Sequence, residues 1–522
     1  MARPLLKSLA TVSVFTLGSR ILGFVRQVLL AGLIGASGTP VADAFMAAFR
    51  LPNMFRRLLA EGAFQAAFVP LFQGEEARGG LAEARLFAEQ ILAWLIVILT
   101  ALSALVMLAT PLAVSLIASG FRDDPERMSL AVLYTRIMFP YLACMSLVGL
   151  YGGMLNALHR FAAAAGAPLL LNVALITGLL LYKDAPIERL GLAASVSVMA
   201  GGVMQLTLLL WAARRSDLLL RLRLPRLSRG ARRMVALGTP GFIGASALQV
   251  NGLVGTNIAS QEEGAIAWLS YADQLYQLPL ALIGIALGVV LMPAIGRAVK
   301  SGDEAAARRT LNSGIETALL FALPASAALV AMPAFVADVL FDDLPALVLG
   351  ASKFNETDVA QVGQALLIYG CGVPAFVLQK VLAAAYFARE DTRSPMTFAL
   401  VAIGINAAIS IALFPVIGFL SVPVGTICAS WTEISLLARR LGKRGVLSLG
   451  LPALSRIGRM VVLAALMGAG VWWVARAPGA YAGFLLGQSW LLLAALTAAA
   501  AAAYLVLALL TGAVSARALR RA

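Results

Sequence analysis

The sequence predicts an all-α polytopic membrane protein with about fourteen transmembrane helices. Three observations carry this. The 522 residues are 61% hydrophobic and only 13% charged, with mean hydropathy +0.88, too few charges to cover a soluble chain of this length. Apolar runs long enough to span a bilayer as helices recur from end to end, in place of the short alternating segments of a barrel. Cations collect in every second loop, as the orientation bias of membrane insertion requires.

The first run, 8–34, is broken by Arg20 and Arg26 and shows no small-residue cleavage site, so it reads as helix one and not as a signal peptide. Spans at 42–73, 86–117, 129–157, 162–182 and 190–213 complete a first group of six. The basic stretch LLLRLRLPRLSRGARR (218–233) follows and reads as an amphipathic membrane-surface anchor, with binding of a soluble partner as the alternative. A second six lie at 234–259, 265–295, 311–340, 359–387, 396–415 and 419–438, and a further pair at 458–475 and 483–511.

With the N-terminus inside, 28 of the 41 Lys and Arg fall in cytoplasmic loops or tails and six in the opposite loops, which places both ends in the cytoplasm. The acidic segments QEEGA (261–265) and FDD (341–343) fall outside. The net charge of +15 therefore faces an anionic leaflet and needs no nucleic acid. The halves also repeat faintly. Asp43 and Asp273 each follow an alanine, Leu51-Pro52 matches Leu278-Pro279, and Pro168 matches Pro395, at offsets of 227–230 residues. The expected organisation is an N-terminal lobe at 1–220, a C-terminal lobe at 221–445 and an appended helix pair with a basic tail at 446–522. Parallel repeats of this kind place a site near the midplane and work by rocking.

Several chemistries are disfavoured. Cys144, Cys371 and Cys428 form no CxxC or paired spacing, and His159, the one histidine, sits beside Arg160 at a helix end. No GxxxxGK[ST] loop is present, which argues against direct ATP hydrolysis. A membrane enzyme would need a base or metal-binding carboxylates, and the pairs at 123–124 and 342–343 fall in outer loops without a second cluster. No catalytic residue, metal or cofactor is expected, a monovalent cation apart.

What remains is charge within the spans: Arg20, Arg26, Arg50, Arg56, Arg57, Arg136 and Lys380. A cation in the bilayer core costs about 2.5–3.5 kcal/mol on insertion scales, so such residues are there for a purpose. Arg20 and Arg26 stand about 120° apart on their helix and share a cavity only if the helix bends or the wall curves. Asp43, Arg50 and Arg57 form nearly one stripe, with Glu61 one turn on. Snorkelling or pairing with Asp43 and Glu61 is the alternative, but two local acids cannot neutralise five arginines. Guanidinium forks suit a diphosphate.

The runs SRILGFVRQVLLAGLIG and ADAFMAAFRLPNMFRRLLAEGAFQAAFVPLF resemble the MurJ (MviN) family of lipid II flippases. FPY (139–141), LNALHRF (155–161), YADQLYQLPLALIGIALGVVLMPAI (271–295) and YFAREDTRSP (386–395) extend the likeness along the chain. The resemblance implies the multidrug/oligosaccharidyl-lipid/polysaccharide exporter fold: two six-helix lobes around a central cavity plus two extra helices. It implies outward flipping of lipid II across the bacterial cytoplasmic membrane for peptidoglycan and cell-wall synthesis. It also implies diphosphate binding by Arg20, Arg26 and Arg56, with Asp43, Arg57, Glu61 and Asp273 gating or supporting. The family's tyrosine-alanine-aspartate-arginine stands here as Tyr271-Ala272-Asp273-Gln274, so Gln274 supplies no charge, and Lys380 is a candidate substitute. Some members bind a monovalent cation, for which Asn251, Asn406, Ser410 and Thr426 could supply oxygens; hydrogen bonding between helices is the competing role. The last two spans would form a groove for the polyprenyl tail, or else are ordinary lipid-facing helices with Trp472-Trp473 in an interfacial belt. The expected partners are lipid II or a similar polyprenyl-diphosphate lipid and membrane lipids, with the chain a monomer. An exporter of another polyprenyl-diphosphate glycan, a multidrug antiporter of the same fold, an embedded enzyme and a scaffold stand as alternatives.

Overall fold

A computed structural model of the chain describes residues 2–59, 63–226, 228–476 and 488–514. Glu61 and the tail arginines 517, 520 and 521 lie outside the described residues. Among the described residues every regular element is helical. Among them, ten stretches are long and apolar enough to cross a membrane, and two of these, Pro125–Ala157 and Arg393–Lys443, each hold two helices joined by a short turn.

The elements of the first part are α1 (Ala2–Ile34), α2 (Pro40–Leu59), α3 (Ala63–Leu108), α4 (Thr110–Ile117), α5 (Pro125–Met138), α6 (Tyr141–Ala157), α7 (Ala162–Leu181), α8 (Ile187–Arg214) and α9 (Arg229–Ala259). The expected span 42–73 is divided between α2 and the start of α3. The helix α3 is itself bent at Gly79 (φ −131°, ψ 15°) and Gly80 (φ 73°, ψ −172°), the latter a conformation that a side chain would oppose, so its two limbs serve two spans. The second part holds α10 (Ala265–Lys300), α11 (Glu304–Ala331), α12 (Pro333–Asp338), α13 (Leu344–Leu349), α14 (Glu356–Phe387), α15 (Arg393–Ile417), α16 (Ser421–Lys443), α17 (Leu451–Ala475) and α18 (Ser489–Leu510). FDD at 341–343, expected in a loop, continues the helical turns between α12 and α13.

The chain divides into two compact units, Met1–Ala267 and Trp268–Ala522. This differs from the expected division at 220/221, because α9 packs on α3, α2 and α4 within the first unit. Arg50 lies against it, and a Cβ at Gly252 would sit 2.9 Å from Arg50 Nη2. Within each unit the same pairing recurs. In the first, α3 packs on α6, α6 on α8, and α7 on α8; in the second, α11 packs on α14, α14 on α16, and α15 on α16. This is the internal repeat that the proline and aspartate offsets foreshadowed.

Burial holds each unit together. Phe68 and Phe72 of α3 are fully buried, and Phe68 stacks on Phe64 and Phe87 at 5.5 and 5.7 Å. In the second unit Tyr386 is fully buried and donates its hydroxyl to the Leu437 carbonyl at 2.8 Å, joining α14 to α16. Arg456 of α17 meets Glu316 of α11 in a two-pronged pair at 2.8 and 2.7 Å, which fixes the appended helices to their unit. Asp43 is 1% exposed and accepts from the amides of Gly264 at 2.8 Å and Ala267 at 3.0 Å. It thereby caps the start of α10 from a distant helix, where a carboxylate meets both unpaired N–H groups and the positive end of the helix dipole. Arg127 Nη1 stands 3.8 Å from the same carboxylate.

The loop before α15 carries one strongly perturbed acid. Asp391 accepts from the hydroxyl and amide of Ser394 at 2.7 and 3.0 Å and from Arg444 Nη1 at 2.8 Å. Bonding from Ser394, opposed by slight desolvation and reinforced by Arg444, pulls its pKa down to about 2. A carboxyl more acidic in the fold than in the unfolded chain, where it titrates near about 3.9, stabilises fully above that value and loses its contribution as pH falls toward about 2. Asp391→Asn should therefore lower the thermal midpoint of the detergent-solubilised protein at pH 7, and the gap to the parent should close as the pH is taken below about 4. A gap that is constant from neutral pH to about pH 2.5 would contradict the assignment.

Candidate functional site

Ser19, Gly23 and Arg26 lie at spacings of four and three on α1 and so share one stripe. That stripe faces a cavity of about 300 Å³ within the first unit. Arg56 of α2, Gln65 of α3, Tyr141 of α6, Asn172 of α7 and Gln205 of α8 complete its polar lining, and Met145, Val148 and Leu171 are among the apolar wall. Among the described residues no carboxylate lines it.

Each cation is held in place. Arg26 Nη1 donates to Asn172 Oδ1 at 2.9 Å, and Asn172 Nδ2 in turn donates to the Ser19 carbonyl at 3.0 Å. That second bond fixes the amide so that its oxygen faces the guanidinium. Arg56 Nε donates to Asn53 Oδ1 at 3.0 Å, one turn back on α2. Pro52, just before this turn, is buried inside α2, which runs unbroken from Pro40 to Leu59, so the carbonyl its ring frees from helix bonding is covered by protein. Two donors on the cavity-lining residues remain unmatched: Arg26 Nε and Gln205 Nε2 are buried without a hydrogen-bond partner among the described residues. Like charges in one small chamber, with spare N–H groups and no acid among the described lining residues, are chemically suited to hold an anion.

The sequence-predicted residues sort as follows. Arg26 and Arg56 come together. Arg20 does not line the cavity: it is exposed, about 100° around α1 from Ser19, and α1 runs unbroken from Ala2 to Ile34. Arg57 is exposed on the far side of the Arg56 turn. Asp43 is occupied as the cap of α10. In the second unit the half-buried Gln274 and Asp273 stand on α10, where Asp273 accepts from Gln277, and Lys380 is exposed on α14. Of the candidate cation ligands, Asn251 stands half-buried on α9 in the first unit, and the other three belong to the second. Ser410 donates toward Asn406 Oδ1 at 3.2 Å and the Ser421 carbonyl at 3.3 Å, while Thr426 donates to the Val422 carbonyl at 2.9 Å. Of these bonds, the one from Ser410 to the Ser421 carbonyl ties α15 to α16, and the other two lie within single helices. Gln65, Asn172 and Gln205 were missed, although each is a polar residue inside an apolar span, which was the available signal.

A second cavity, of about 510 Å³, lies in the second unit between α11 and α17. Its walls are small and apolar, including Ala327, Val330, Ala464 and Gly468, and Trp472 closes one end with Arg476 stacked 3.8 Å from its ring centroid.

The fold matches two solved transporters. One is "Lipid II flippase MurJ, inward closed conformation", with TM-score 0.72, 21% identity, and 91% of this chain and 99% of that chain covered. The other is an inward-facing multidrug resistance MATE family transporter of the MOP superfamily, with TM-score 0.65, 14% identity, and coverage of 82% and 95%. At these identities the likeness defines the class of fold, a multi-pass membrane transporter fold. The particular family follows from sequence. The model of the family "Lipid II flippase MurJ" matches residues 30–488, and the probable lipid II flippase MurJ of Rhizobium meliloti (strain 1021) is 42% identical over 471 residues, 90% of this chain and 86% of that one. The chain belongs to the lipid II flippase MurJ family.

The close approach of α15 and α16 is open to test. A Cβ at Gly425 would press on Ser410 Oγ and Asn406 Oδ1 and stand 2.8 Å from the Asn406 carbonyl. Gly425→Ala should cost about 1–3 kcal/mol, read as a lower thermal midpoint, because the backbone carbonyl cannot retreat. An unchanged midpoint would mean that the helices are further apart than described.

Proposed function

We propose that this chain is a lipid II flippase, moving the lipid-linked peptidoglycan precursor from the cytoplasmic to the outer leaflet, and that Arg26 and Arg56 hold its diphosphate. Family membership supports the activity, and one observation carries the site: two guanidinium groups line a single cavity in whose lining, among the described residues, polar neighbours are neutral. A chamber of about 300 Å³ is at the small end of ligand pockets. It suits a diphosphate and leaves the sugars and peptide outside. Arg20, on another face of α1, would contact the rest of the head group. The apolar cavity between α11 and α17 would take part of the polyprenyl tail. A drug antiporter for cations would want acids where these arginines stand.

The mechanism in this reading is alternating access by rocking of the repeats. The charged head would otherwise cross hydrocarbon unpaired, at prohibitive cost. Asp43, by capping α10, would help hold one closed state, since its two amide bonds can break and re-form without covalent change. Asp273 would support α10 nearby in sequence, and Glu61 retains a gating role by resemblance. A potential that is negative inside favours outward movement of an anion by about 2.3 kcal/mol per charge per 100 mV, so export would respond to voltage. We place the protein in the bacterial cytoplasmic membrane with both termini inside, on the 28-to-six loop bias, acting as a monomer.

Reconstituted in proteoliposomes with fluorescent lipid II, Arg26→Ala and Arg56→Ala should each slow flipping by about tenfold or more, as loss of a charge-assisted contact of roughly 1.5–3 kcal/mol implies. Arg20→Ala should slow it less. Parental rates in both cavity variants, with folding intact, would overturn the site.

A further inference from the structure

The basic linker is not a helix. From Leu218 to Arg226 it is an extended strap laid along the second limb of α3. Three residues of α3, Arg85, Glu89 and Trp94, fix it, largely through the strap's backbone. Arg85 Nη2 donates to the Leu219 carbonyl at 2.6 Å. The Arg221 amide donates to Glu89 Oε1 at 3.1 Å, and the Arg223 guanidinium pairs with Glu89 Oε2. Trp94 Nε1 donates to the Arg226 carbonyl at 3.2 Å. Glu89 is only 4% exposed, so it serves the strap and not solvent. The contacts advance in step from Arg85 to Trp94, about 13 Å of helix axis, so the strap rises along a limb that is itself a membrane span.

The Arg221 amide and the Arg223 guanidinium engage Glu89, while Leu222 and Leu224 are 76% and 81% exposed. Two bare leucines on a segment pinned this firmly need a nonpolar neighbour. Arg226, Arg229, Arg232 and Arg233 beside them are exposed, and residues 218–233 contain no acid. Trp94 and Trp211 mark the height of the headgroups, the latter with Arg215 stacked 4.1 Å from its ring centroid. A soluble protein partner would meet a mixed rim of both signs; this rim is of one sign and lies against a span.

We infer that the strap is a docking site for anionic phospholipid, with Leu222 and Leu224 among the acyl chains and the arginines from Arg226 to Arg233 on headgroup phosphates. It is independent of the transported substrate, and of whether Arg26 and Arg56 bind a diphosphate.

The test uses the full chain in nanodiscs of phosphatidylcholine with rising phosphatidylglycerol. Hydrogen exchange at the Leu222 and Leu224 amides should slow by about threefold or more as the anionic fraction rises, the interaction being electrostatic. Replacing Arg226, Arg229 and Arg232 together by Gln should abolish that dependence without altering exchange elsewhere. A polarity-sensitive fluorophore on Leu224→Cys, in a background without Cys144, Cys371 and Cys428, should shift to the blue in the anionic discs. Exchange equal in both lipids, a triple variant that keeps the full dependence, or a label equally wet in both would each overturn the assignment.

Discussion

Two guanidinium groups, Arg26 and Arg56, line one small chamber whose described lining holds no carboxylate, and they set the terms for the first unit. A guanidinium removed from water without a counter-ion is costly. The fold meets part of that cost with neutral acceptors: Asn172 for Arg26 and Asn53 for Arg56. An amide oxygen holds the geometry without cancelling the charge, as a carboxylate would. The cavity keeps its appetite for an anion, and it keeps its shape because Asn172 is tied in turn to the backbone of α1 at Ser19. Release also depends on this moderation, for a site built with more charge would hold a diphosphate too well to let it leave.

Three carboxylates of the same unit are committed elsewhere. Asp43 caps α10, Asp124 caps α5 and binds Arg127, and Glu89 anchors the linker strap. These three acids secure elements, and in the proposed reading Arg26 and Arg56 face the substrate. This division of labour separates the chain from a cation exporter of similar architecture, in which acids must face the cargo.

Much of this was legible in the sequence, and the physical reasons are specific. Span length is a one-dimensional constraint imposed by the bilayer, so helices and their order could be read directly, whereas the division of 42–73 between α2 and α3 could not. Arg26 and Arg56 stood out because charge inside an apolar run needs a reason. Arg20 looked equivalent by that criterion, yet only the rotation of α1 decides which cation faces the chamber, and a rigid helix without a bend at Gly23 sends the two apart. Asp43 read as a counter-ion because its partners are backbone amides at 264 and 267, which leave no mark in side-chain chemistry. The linker's composition was plain, but its conformation depends on a glutamate more than a hundred residues earlier. The α9 helix was assigned to the later lobe by counting, whereas its packing on α3 is a matter of three-dimensional contact.

The central claim is that Arg26 and Arg56 recognise a diphosphate, and affinity tests it most directly. Purified protein in nanodiscs would be titrated with an isoprenyl diphosphate and with the corresponding monophosphate, for the parent and for Arg26→Ala. The account predicts that the parent prefers the diphosphate, that salt weakens the preference, and that the variant loses it. Equal affinity of parent and variant for the diphosphate would contradict it.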